Sequence, residues 1–182
     1  RVYYETSKRF PNSHLPKMKL ADVLRAGNEF EDAIKVYDTI VSKDPAYADV
    51  YKQLALTHAD YARFKDDKAL LQPGVDNYFK YHGMIGESMD VDNELAAYLI
   101  KNKDYKALGD LVRTKWYTRG DNFFMYRYRA IADFQNGKFL DAKENINMYF
   151  DVQDKKDQLL PIDYLYKGLS ELEASRKEDG TF

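Results

Sequence analysis

The sequence predicts an all-α fold, a right-handed superhelical solenoid of antiparallel helix pairs, on three observations. First, Tyr3 and Tyr37, Pro11 and Pro45, and Leu20-Ala21 and Leu54-Ala55 each stand 34 residues apart, and a fixed period near that length marks stacked helix pairs. Second, the same interval of 34 returns later, relating Ala96 to Ala130, Asn102 to Asn136, Tyr105 to Phe139 and Val112 to Ile146. Third, small residues recur in register: Ala21, Ala55, Ala96, Ala130 and Gly168 on the first helix of each pair (A), and Ala33, Gly74 and Ala142 on the second (B). Helix axes approach to about 8–10 Å only where such residues cross. Leu108 departs from that pattern.

In chain order, residues 1–12 read as the B helix of a preceding repeat, ended by Pro11, which lacks the amide a helix needs and forces its predecessor out of helical geometry. Residues 14–47 form a repeat ended by Pro45, and residues 48–88 a second one. That second repeat is enlarged: Ala55 to Ala96, Ala33 to Gly74 and Tyr37 to Tyr78 each span 41 residues, which places an insertion at about 62–73. Repeats at 89–122 and 123–156 follow, with the turns between their A and B helices at Lys103-Asp104 and Asn136-Gly137. Ala130 to Gly168 is 38 residues, so a further insertion falls in the polar stretch 151–157. Residues 161–176 then form an A helix without its B partner, whose apolar face includes Leu165, Leu169 and Leu172. The expectation is that the natural protein continues in both directions, or that another chain covers this face by self-association.

Residues 26–45, AGNEFEDAIKVYDTIVSKDP, carry the pattern best. With Asn28, Phe30, Ala33, Tyr37 and Pro45 they match a G-x-Y-x-x-A-x-x-x-Y-x-x-A-x-x-x-x-P run, Ile40 replacing the final alanine. In this the chain resembles the tetratricopeptide family, in its bacterial repeat proteins. The resemblance implies a non-enzymatic scaffold whose A helices form a concave groove that receives a peptide or protein segment. One branch of the family clamps a terminal carboxylate with a Lys and an Asn on the first A helix. This sequence has Met18 and Asp22 there, which argues against that specificity.

Composition narrows the alternatives. Lys and Arg number 28 against 30 Asp and Glu, a net charge of -2, and without a basic patch a nucleic-acid partner is not expected. No window approaches the roughly 18 apolar residues of a membrane span. Cysteine is absent, which excludes disulfides, thiolate metal sites and thiol catalysis. His14, His58 and His82 are too scattered for helical metal-ligand spacing, so no metal or other cofactor is expected. Gly83-Met84-Ile85-Gly86 lacks the lysine of a phosphate loop. Asp66-Asp67 and Asp90 with Asp92 read as solvated faces or helix caps. An enzyme is not expected.

Following the register, the groove positions are Met18, Asp22 and Arg25, then Lys52, Leu56 and Ala59, then Asn93, Ala97 and Ile100. In the fourth pair Phe124, Arg127, Tyr128, Ile131 and Phe134 combine rings with a guanidinium, the mixture enriched at binding hot spots. The groove candidates are therefore these five with Lys52 and Asn93. A different class is a glycan-binding or assembly component of a bacterial cell envelope with similar helices, whose rings would face sugars. The Tyr, Lys, Asp and Asn richness resembles that of envelope proteins, so the periplasm or envelope is the expected location and the cytoplasm the alternative.

Overall fold

The computed structural model describes residues 2–86, 88–114, 123–152 and 159–178. Every regular element among them is helical: α1 (Val2–Arg9), α2 (His14–Ala26), α3 (Phe30–Val41), α4 (Ala48–Lys65), α5 (Gln72–Ile85), α6 (Met89–Lys101), α7 (Tyr105–Thr114), α8 (Phe124–Gln135), α9 (Phe139–Val152) and α10 (Pro161–Glu178). They gather into two compact units, Arg1–Val91 and Asp92–Phe182. The fold is all-α, as the repeat period predicts. The boundary at 122, the end of a repeat at 156 and most of the insertion at 151–157 lie outside the described residues.

In the first unit each helix packs on its neighbours in sequence, α1 on α2, α2 on α3, α3 on α4 and α4 on α5. The crossing points are closed by residues without bulk: Ala21, Ala33 and Ala55 have no exposed surface, and Gly74 is buried. Around them Phe30, Tyr37, Ile40, Val50, Tyr51, Leu54 and Tyr78 fill the core. α4 is long because it continues to Lys65 before Asp66, at φ 52°, ends it. The chain then makes a 3₁₀ turn, Lys68–Leu71, whose Asp67 side chain accepts from the Ala69 amide, and Pro73 sits in the first turn of α5. Asp66 and Asp67 are thus both helix-end residues. Asp92, by contrast, is wholly buried at the start of the second unit, not solvated.

In that unit α7 packs on α8, α8 on α9, and α10 on both α8 and α9. Ala96, Ala130 and Ala142 again have no exposed surface. So does Leu108, where the small-residue pattern breaks. Gly168 behaves differently: it is exposed, and a β-carbon there would meet nothing within 4 Å.

The turns explain why certain residues recur. Each of four helices closes by the same reversal, in which an amide bonds a carbonyl five residues back: Glu29 to Leu24 (2.9 Å), Asp67 to Ala62 (2.9 Å), Asp104 to Leu99 (2.9 Å) and Lys138 to Asp133 (2.8 Å). The residue before each of those amides is left-handed: Asn28 at φ 63°, Asp66 at 52°, Lys103 at 57° and Gly137 at 74°. Such a residue lets the chain reverse while satisfying carbonyls that the helix leaves open. Asn28 therefore does at its turn what glycine does in the family motif. Asn102 and Asn136 recur because each side-chain amide donates to the carbonyl four residues back, Tyr98 at 2.8 Å and Ala132 at 2.7 Å. Asn136 also reaches the Tyr105 carbonyl at 3.2 Å, tying the end of α8 to the start of α7.

Because Gly168 lies inside a helix with open space around it, Gly168→Ala lowers the backbone freedom of the unfolded chain and creates no clash. It is expected to raise stability by about 0.5–1 kcal/mol, read as a higher urea midpoint at unchanged slope.

Candidate protein-interaction surface

The seven groove candidates fall on three helices. Lys52 on α4 is half-buried, its ammonium 5.2 Å from the Tyr81 ring centroid. Asn93 on α6 is half-buried, and its side-chain carbonyl oxygen is sealed from water without a hydrogen-bond partner among the described residues. On α8, Phe124 and Phe134 are half-buried, whereas Arg127, Tyr128 and Ile131 are buried, with 9%, 8% and 4% of their surface exposed. Lys52 belongs to the first unit, the other six to the second.

The aromatic-arginine cluster on α8 is brought together, and its guanidinium is taken up inside the protein. Arg127 Nε donates to Asp163 Oδ1 at 2.6 Å, and Nη2 donates to Oδ2, a two-pronged pair with the first turn of α10. Such forks combine geometric specificity with charge-assisted strength. Asp163 Oδ2 also accepts from the Leu160 amide at 2.7 Å. The guanidinium carbon lies 4.9 Å from the Tyr149 ring and 5.5 Å from that of Phe124, so rings of α8 and α9 flank the pair. Burial alone would lower the Arg127 pKa, but hydrogen bonds to Asp163 and its charge outweigh this and hold it above the ordinary value. Burial pushes the neighbouring Tyr128 hydroxyl up to about 12. Arg127 is therefore a positioning residue that latches α10 to α8.

A second buried carboxylate organises the other end of α8. Asp133 accepts from Arg113 Nη1 at 3.2 Å and from Asn145 Nδ2 at 3.2 Å, and Arg129 stands 4.0 Å away. Burial raises its pKa, opposed by the Arg113 charge. Beside it Phe134 packs on Phe139 and meets Tyr166 edge to face, with ring centroids 5.3 and 5.5 Å away.

In the first unit the A helices carry a polar row that the groove register only partly named. Asp22 accepts from the Tyr37 hydroxyl at 2.6 Å, and Arg25 donates to Gln53 at 3.1 Å and stands 3.7 Å from Asp60. Gln53 and Asp60 were not among the candidates, although each lies one residue from a named position, Lys52 or Ala59. Met18 and Ala59 are buried and Ala97 is exposed. The histidines are scattered: His14 pairs with Asp44 at 3.0 Å, His82 is 1% exposed within α5, and burial lowers the His58 pKa against the opposing charge of Asp38.

α10 presents two faces. Asp163, Tyr166, Ser170 and Ala174 are buried, whereas Leu165 and Leu172 are 53% and 48% exposed and Leu169 is half-buried. Among the described residues no helix is long and apolar enough to cross a membrane.

Antiparallel helices in a 34-residue register, small residues at their crossings and a shared left-handed turn define a tetratricopeptide-like class of fold. Among solved structures the chain is similar to YrrB, described as a TPR protein with an unusual peptide-binding site, at 14% identity and a TM-score of 0.58 over 98% of this chain and 86% of that one. At that identity the likeness shows the fold alone. No protein-family model matches the sequence, and no curated protein matches it.

Proposed function

We propose that this chain is a non-catalytic protein-interaction scaffold that holds a peptide or protein segment along its A helices. Phe124 and Phe134 are the observation that carries this reading: both keep part of their ring surface open on α8, a helix held in place by the Arg127–Asp163 pair and by Asp133, and partly open rings on a fixed helix suit the apolar anchors of a bound segment. The fold class supports the reading, since stacked helix pairs build extended binding surfaces.

Selection from a displayed random-peptide library tests it. A recovered peptide is expected to bind saturably and to lose about tenfold in affinity with Phe134→Ala, the cost of truncating one interface anchor, while circular dichroism is unchanged. Failure to select any peptide, alongside saturable binding on a glycan array, would overturn the proposal.

A further inference from the structure

Two A-to-B turns leave a notch between the start of the B helix and the end of the next A helix, one of about 250 Å³ in the first unit and one of about 230 Å³ in the second. The second is flanked by Lys138, Asp141 and Lys177 and is basic on balance. The notch is thus a product of the repeat, and its chemistry is set locally.

In the first unit that chemistry is aromatic and acidic. Phe30, 4% exposed, forms the floor. Tyr61 stacks on it at 5.4 Å and 26°, and Phe64 tilts against it at 5.4 Å. The Tyr61 hydroxyl donates to Glu31 at 2.5 Å, which fixes the ring. Glu29, Glu31 and Asp32 line the rim with Lys65, whose Nζ is 6.0 Å from the Tyr61 centroid, and Asp32 also pairs with Lys35 at 2.8 Å, an exposed pair of little energetic weight that leaves the rim acidic on balance. Carboxylates in the first turn of α3 complement its dipole, so they alone indicate no ligand. That account does not extend to Phe64, which belongs to α4 and leaves 58% of its surface open beside them. An open ring face next to carboxylates attracts a cation twice, through the ring quadrupole and through charge. The volume is below the roughly 300–1,000 Å³ of small-molecule pockets and suits one side-chain head.

We infer that this notch binds an arginine side chain of a partner protein segment, its guanidinium stacked on Phe64 and forked onto Glu31 or Asp32. Arginine fits better than lysine because its planar fork serves a ring and a carboxylate together. This site is separate from Phe124 and Phe134 on α8.

The test is an amide NMR titration of the whole chain with an acetylated, amidated Gly-Gly-Arg-Gly-Gly peptide, and with the same peptide carrying neutral citrulline. Saturable shifts are expected at residues 28–32 and 61–65, about fivefold weaker binding in Phe64→Ala, a further loss in Asp32→Asn, and strong weakening in 1 M salt. Phe134→Ala is expected to titrate like the parent. Equal binding of the citrulline peptide, shifts centred elsewhere, no saturation, or an unchanged titration in Phe64→Ala would each overturn the assignment.

Discussion

Arg127→Ala is expected to destabilise the second unit by about 3–5 kcal/mol, the usual cost of removing one partner from a buried ion pair. The side chains of Arg127 and Asp163 are 10% and 1% exposed. Truncation leaves the Asp163 carboxylate buried, still accepting from the Leu160 amide but without its counter-charge. It also removes the cation between the Phe124 and Tyr149 rings. For a chain of this size the loss corresponds to a fall in Tm of roughly 10 °C. Hydrogen exchange should localise it: amides of α8 and α10 lose protection while those of α2 to α4 do not, because repeat folds couple mainly through neighbours. Replacing both partners by apolar residues, Arg127→Met with Asp163→Leu, is expected to restore most of the stability, since the desolvation penalty disappears with the charges. A cost below about 1 kcal/mol for Arg127→Ala would show that the pair behaves like an exposed one, and the latch would be wrong.

Tyr37→Ala is expected to cost a similar amount, about 3–5 kcal/mol, through a different mechanism. Tyr37 has no exposed surface and lies in the core of the first unit. Removing its ring leaves a cavity between helices that can collapse only partly. Tyr37→Phe isolates the hydroxyl, which donates to Asp22 at 2.6 Å, and is expected to cost only about 0.5–1.5 kcal/mol. Burial first, and the Asp22 bond second, raise the Tyr37 pKa above the ordinary value, so the hydroxyl remains a donor at physiological pH. Urea unfolding of the two variants separates the ring from its polar tip. A Phe variant as damaged as the Ala variant would move the weight from packing to the hydrogen bond.

The two residues were not equally legible in the sequence. Tyr37 recurs at Tyr3 and Tyr78 in the repeat and stands four residues after Ala33, which already places it on the helical face that packs. Arg127 belongs to a cluster whose chemistry was readable, rings around a guanidinium, but whose destination was not. The register pointed it toward a partner. Asp163, 36 residues further on, turns it inward. An ion pair leaves no periodic trace, because only two residues take part and neither repeats. The notch around Phe64 was invisible for a related reason: it joins residues 28–32 to residues 61–65, and no local pattern links a phenylalanine at the end of one helix to carboxylates at the start of another.

By itself, the sequence determined the all-α class, the small residues that let helices cross, and the residues at which the chain reverses. Each of these depends on local sterics and on a period that is counted directly. Asn28, Lys103 and Gly137 are left-handed because the turn demands it, and their spacing follows from the repeat. Tertiary structure alone decided which side chains remain available to a partner. It buried Arg127, Tyr128 and Ile131, left Phe124 and Phe134 half-exposed, sealed the Asn93 oxygen without a donor and held Phe64 open. Exposure depends on what distant helices bring to a face, which position along one helix does not encode.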